Sequence, residues 1–151
     1  PNSIFLEIFF KALRYKKFRS PLILISSLKT LKLQMKKLKF KNNINLIEYK
    51  DLKKNIIDNK SINLINVEYK QKKVFEKISS KSNSFIKNSF DIALDILKED
   101  ISNKFINGPI SKKAFLNKYY PKSTYNKQIV LTDIKNLFNQ VKTFWDDIDK
   151  N

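Results

Sequence analysis

The residues with the most chemical promise surround Gly108, the one glycine in the chain. Lys104-Phe105-Ile106-Asn107 reads as a strand ending at Gly108-Pro109, and residues 111–118 read as a short helix with Ser111 near its start. A strand that ends in glycine and gives way at once to a helix N-terminus is where open α/β sheets receive anionic ligands. A plain tight turn explains the same residues equally well. Asp91 and Asp95 lie one helical turn apart and could share a cation, but carboxylate pairs on a solvated helix face ordinarily serve solubility. We read them that way.

What the chain lacks narrows the chemistry further. It has no His and no Cys, which removes the commonest metal ligand, the commonest general base, the thiolate nucleophile and any disulfide. Catalysis would have to use carboxylates, Lys, Tyr, Ser or Thr, or groups supplied from elsewhere. The net charge of +17 invites a polyanion-binding reading. Yet only Arg14 and Arg19 are arginines, the residue that base readers favour for its bidentate fork. The lysines run through nearly every segment beside abundant Asn and Ile, as a chain-wide compositional bias would give. A solvated lysine-rich surface is therefore preferred to nucleic-acid binding, which stays as the competing reading.

Positioning these residues falls to alternating helices and strands. Residues 4–13 suit a largely buried helix, and Leu22-Ile23-Leu24-Ile25 after Pro21 suits a strand covered on both faces. Leu28, Leu31, Met35 and Leu38 recur at helical spacing, with lysines between them. Ile44-Asn45-Leu46-Ile47 and Ile62-Asn63-Leu64-Ile65 share four letters, and each reads as a short strand. Residues 50–61 and 70–81 are polar and read as loops. Ser82 or Ser84 caps a helix whose apolar face comprises Ile86, Phe90, Ala93, Leu94 and Leu97. Residues 125–151 form a divergent tail that reads as helical and ends in Asp146, Asp147 and Asp149. No apolar run approaches the ~18 residues of a membrane span, and 4–10 lacks the pattern of a signal peptide, so a soluble, cytoplasmic protein is expected.

The loop residues carry a family resemblance. Gly108-Pro109-Ile110-Ser111-Lys112, followed by Pro121 and Thr124, resembles the Gly-Pro-Ile-x-Lys and Pro-Gly-His-Thr-Glu stretches of the 4-hydroxythreonine-4-phosphate dehydrogenases of pyridoxal phosphate biosynthesis. Pro1-Asn2-Ser3-Ile4-Phe5-Leu6-Glu7-Ile8 resembles that family's Pro-x-Gly-Ile-Gly-Pro-Glu-Ile, and the order of elements between the motifs agrees. The resemblance covers residues 1–124. It implies a partial open α/β sheet with flanking helices, similar to the N-terminal part of the isocitrate and isopropylmalate dehydrogenase-like fold. It also implies a homodimeric oxidoreductase that uses NAD(P) and a divalent metal on a phosphorylated small-molecule substrate. Thr124, Ser123 and Lys112 match substrate-contacting or loop-ordering positions, and Gly108 and Pro109 form the loop.

Departures from the family pattern are as informative as the matches. Ser123 stands where the family has its substrate-contacting His, Lys122 where it has Gly, and Tyr125 where it has Glu. Ser3 and Phe5 replace the two glycines of the first motif, and Leu6 replaces its Pro. The family's metal-binding histidines lie downstream, and a strand is expected before Pro1. No residue here is assigned as catalytic or as a metal ligand. The expectation is an incomplete, inactive portion of such a dehydrogenase, with a lysine-rich module for nucleic acid or another polyanion as the alternative.

Overall fold

A computed structural model describes residues 4–54, 57–71, 73–77, 79–111 and 115. Residues Pro1–Ser111 make one compact unit and Lys112–Asn151 a second. The boundary expected near residue 124, and the tail beyond it, lie outside the described residues.

The first unit is of α/β class. Three parallel strands, β1 (Ile23–Ser26), β2 (Ile44–Ile47) and β3 (Ile62–Asn66), form an open sheet in the order β1-β3-β2. Helix α1 (Phe5–Tyr15) precedes β1, α2 (Leu28–Lys37) joins β1 to β2, and α3 (Asn83–Lys98) follows β3. The two segments of shared sequence lie side by side, each residue opposite its own kind: Ile44 with Ile62, Asn45 with Asn63, Leu46 with Leu64 and Ile47 with Ile65.

Strand alternation sends side chains to two faces, and both are covered. Leu24, Ile44, Ile62 and Leu64 meet Leu6 and Phe10 of α1 and Leu31 and Met35 of α2. Ile23, Ile25, Ile47 and Ile65 meet Ile92 and Ile96 of α3 on the other side. The result is three layers, helix on sheet on helix. Asn63 is 1% exposed yet fully engaged, donating to the carbonyls of Leu22 (3.0 Å) and Asp58 (2.7 Å) and accepting from Asn45 Nδ2 (3.0 Å). It ties the start of β1 to the loop before β3.

With glycine almost absent, two helices close on residues that adopt the left-handed conformation at some cost. Lys39 (φ 49°) ends α2 and Asp100 (φ 54°) ends α3. Each is followed by the expected back-bond, Phe40 N–H to Met35 O (2.9 Å) and Ile101 N–H to Ile96 O (3.1 Å).

Three sequence expectations are corrected. Helix α1 is amphipathic rather than largely buried: Leu6 and Phe10 face inward while Ile8 is 53% exposed, because the helix lies on the outside of one layer. The expected apolar face of α3 holds at Ala93, which is buried, and at Ile86, Phe90 and Leu97, which are half-buried, but Leu94 is 46% exposed, and Phe85 and Ile96, outside that face, are buried. The helix is apolar at so many positions that two stripes overlap, and seating on Ile25 and Ile65 selects one. Residues 104–107 are irregular, not a strand, with Ile106 80% exposed. A strand exists only by pairing, and none of the described strands pairs with this segment.

Candidate functional site

The chain around Gly108 passes directly over the first turn of α1. Gly108 does not have a positive φ, so backbone freedom is not what the position demands. Space is. A Cβ added there would stand 2.8 Å from Cγ of Phe5, closer than real Cβ atoms essentially ever come, and 3.0 Å from its Cβ, tighter than nearly all such contacts. The Phe5 Cβ is fixed to the backbone of α1, and Cγ can move only by rotating the whole ring about χ1. Asn107 Nδ2 donates to the Gly108 carbonyl at 3.2 Å, and Phe105 packs edge-on against Phe90 of α3 with ring centroids 5.6 Å apart. Pro109 is exposed. Lys112, Ser123 and Thr124 lie outside the described residues, so the structure brings Gly108 and Pro109 to α1 and gives no position for the other three.

A second polar region gathers at the carboxyl ends of β1 and β3. Ser27 caps α2, accepting from the Thr30 N–H at 3.4 Å while its hydroxyl donates to the Tyr69 carbonyl at 3.2 Å. Asn66 at the end of β3 accepts from the Leu28 N–H at 2.8 Å, so a strand side chain completes the cap. The fully buried Thr30 hydroxyl has no hydrogen-bond partner among the described residues. Beyond this edge, on the α3 side, opens a cleft of about 500 Å³ between the 68–76 loop and the first turns of α3. Sequence reasoning missed it, since its lining is scattered from 68 to 85 and its lysines blend into the general composition.

Charge is unevenly divided. No Asp or Glu occurs between Glu7 and Glu48, and that stretch holds α2, whose Lys29, Lys32, Lys36 and Lys37 are all exposed. None of the four has an ion-pair partner among the described residues. Arg14 lies over the Phe40 ring at 5.3 Å and donates to the Lys39 carbonyl at 3.2 Å, joining the ends of α1 and α2. The acidic residues collect instead near α3, where Tyr49 donates to Glu99 at 3.3 Å. The Tyr49 phenol is raised above its ordinary value by desolvation first, then by the charges of Glu99 and Asp95.

Asp91 pairs with Lys87 at 2.6 Å on the exposed side of α3, in keeping with the solubility reading. Among the described residues no three His, Cys, Asp or Glu side chains group closely enough to hold a metal ion. Nor is any described helix long and apolar enough to cross a membrane. Comparisons with protein-family models, with curated proteins and with solved structures find no match.

Proposed function

We propose that this chain forms part of the α/β scaffold of a 4-hydroxythreonine-4-phosphate dehydrogenase-like oxidoreductase, with the catalytic groups supplied by residues it does not itself contain. The observation that carries the reading is the contact between Phe5 and Gly108. These residues belong to the two segments that bear the family resemblance, at opposite ends of the described chain, although Phe5 itself stands where the family has Gly. The fold thus brings the two segments together, as parts of one site would require. The open parallel sheet between helices adds support, because the resemblance implies that class of fold.

On this reading Gly108 is small so that its loop can lie on α1, and Lys112, Ser123 and Thr124 contact a phosphorylated substrate. Lys112 supplies positive charge for the phosphate, and Ser123 and Thr124 supply hydroxyls in place of a titratable imidazole. Cytoplasmic location and homodimeric assembly belong to the same proposal. The divalent metal and NAD(P) that such an oxidation uses do not fit the residues present. The chain has no His or Cys, its described carboxylates do not cluster, and no glycine-rich turn exists to cradle a dinucleotide. No step through either group is derived for this chain.

Calorimetric titration of the full chain with 4-phosphohydroxy-L-threonine tests the proposal. Saturable binding that is lost in Lys112→Ala, with no reduction of NAD in the presence of magnesium or zinc, is the expected result. Absence of binding would remove the family reading. Robust NAD reduction would overturn the assignment of the catalytic groups elsewhere.

The acid-free stretch from residue 8 to 47 favours a second reading, a lysine-rich surface for nucleic acid. It requires duplex-DNA affinity that falls by orders of magnitude between about 50 and 200 mM salt. The first reading requires substrate binding that survives the same change.

A further inference from the structure

We propose that the outward face of α1 and α2 docks on the surface of an anionic phospholipid bilayer, α1 through an apolar stripe and α2 through its lysines. Helix α1 is apolar on two sides, and the core uses only one of them. Leu6 and Phe10 face inward. Ile4, Ile8, Lys11 and Tyr15 recur at intervals of four, three and four residues, which sets them in line on the opposite side. Ile4 is 57% exposed, Ile8 53% and Tyr15 81%. Apolar residues scattered singly over a surface are ordinary. Three in line on a helix that already has a buried face call for a second apolar neighbour.

Charge then selects the occupant. Helix α2 packs beside α1 over the same face of the sheet, so its solvent side points the same way. That side carries Lys29, Lys32 and Lys36, all exposed and again in line. Glu7, the one acid on either helix, is paired with Lys11 at 2.9 Å. The face is therefore complementary to something anionic over a broad area and apolar just beneath. Nucleic acid would neutralise the lysines and leave Ile4 and Ile8 against water. Protein interfaces favour arginine and deplete lysine. A bilayer surface supplies every part: anionic headgroups for the lysines, the acyl boundary for the isoleucines and the interfacial zone that suits a tyrosine. Helix α1 lies on that surface and does not cross it, being too short to span. Leu94 in the opposite layer is exposed too, but it stands beside Asp95 and one turn from Asp91, which anionic lipid would repel.

Sedimentation of the full chain with vesicles tests the proposal, using phosphatidylcholine alone or with about a third phosphatidylserine. Binding to the anionic vesicles only is the expected result. The Ile4→Gln, Ile8→Gln double variant alters exposed positions, so its thermal midpoint should hold while vesicle affinity falls about tenfold or more. The Lys29→Gln, Lys32→Gln, Lys36→Gln variant should lose affinity on the order of a hundredfold. Because the chain has no Cys, a polarity-sensitive dye can be placed at one chosen position. Attached to Ile8→Cys it should shift to the blue on anionic vesicles, and attached to Leu94→Cys it should not. Binding to neither vesicle, or equally to both, would overturn the proposal. Full affinity in the isoleucine variant would overturn the seating of α1, and equal dye shifts would overturn the choice of face. Tight binding of duplex DNA without binding of vesicles would give the lysines to nucleic acid and sink the bilayer. None of these variants touches Lys112, Ser123 or Thr124, so the result stands apart from the substrate titration.

Discussion

Replacing Gly108 tests the contact at the scale where it arises. Gly108→Ala forces a methyl group into the Phe5 side chain, and the overpacking is expected to cost about 1–3 kcal/mol in urea unfolding. Phe5→Ala loses its own packing, yet in that background Gly108→Ala should cost less, because the 2.8 Å contact with Cγ is gone while the 3.0 Å contact with Cβ stays. A coupling energy near zero in the double-mutant cycle would show that the loop does not rest on α1. The sequence marks Gly108 as unusual because no other glycine exists. It does not say why glycine is needed, since the reason is a phenylalanine at the far end of the described chain. A turn and a close approach look alike in a string of letters. The cleft residues are harder still to read, because a lysine that lines a pocket has the same spelling as one that coats a surface.

Among the elements, the described strands and helices were legible from periodicity, but their partners were not, and Ser82, though it stands at the start of α3, makes no side-chain cap bond there. Identical segments at β2 and β3 gave no hint that they would pair with each other, or that β3 would take the centre. Position makes the two asparagines unequal. Asn63→Ala strands the carbonyls of Leu22 and Asp58, whereas Asn45→Ala removes the partly buried bond to Asn63 and leaves both carbonyls their donor. The first is expected to cost about 2–4 kcal/mol and the second about 0.5–1.5 kcal/mol in denaturant unfolding. Equal costs would place both strands in equivalent surroundings and contradict the strand order. The segment at 104–107 misled because apolar letters such as Phe105 and Ile106 signal a strand only when a neighbour is there to pair. In α3 the hydrophobic period was right, and the edge of the buried stripe fell on Phe85 and Ile96 rather than Leu94, since burial against Ile25 and Ile65 is a tertiary choice.

Across the whole molecule, positive charge is in large excess. A net charge of +17 repels itself across a small body, and the four ion pairs seen among the described residues are exposed and of little individual worth. Screening should therefore stabilise the fold. The thermal midpoint is expected to rise as ionic strength goes from about 10 mM to about 150 mM, over which the Debye length shrinks from roughly 30 to 8 Å. A falling midpoint would mean that attractive pairs outweigh the repulsion. The excess charge is plain in the composition, and its gathering at the α2 side can be read from the acid-free stretch. Its convergence where α1 meets α2 depends on the packing of Arg14 over Phe40, which only the fold reveals.

The matched strands have one more consequence. Identical four-residue segments lying parallel and in register, asparagine beside asparagine, are the repeating unit of a cross-β fibre, here limited to two layers within one native domain. The stack has to be stopped on both sides. Against β3 the stop is β1, whose Ile-Leu-Ile-Ser lettering breaks the repetition. Beside β2, where no described strand pairs, it falls to charged gatekeepers, Lys41 before the strand and Glu48 and Lys50 after it, which a third copy would have to bring close to their own likenesses. The lysine richness that looks indiscriminate in the composition thus guards a segment that this chain repeats.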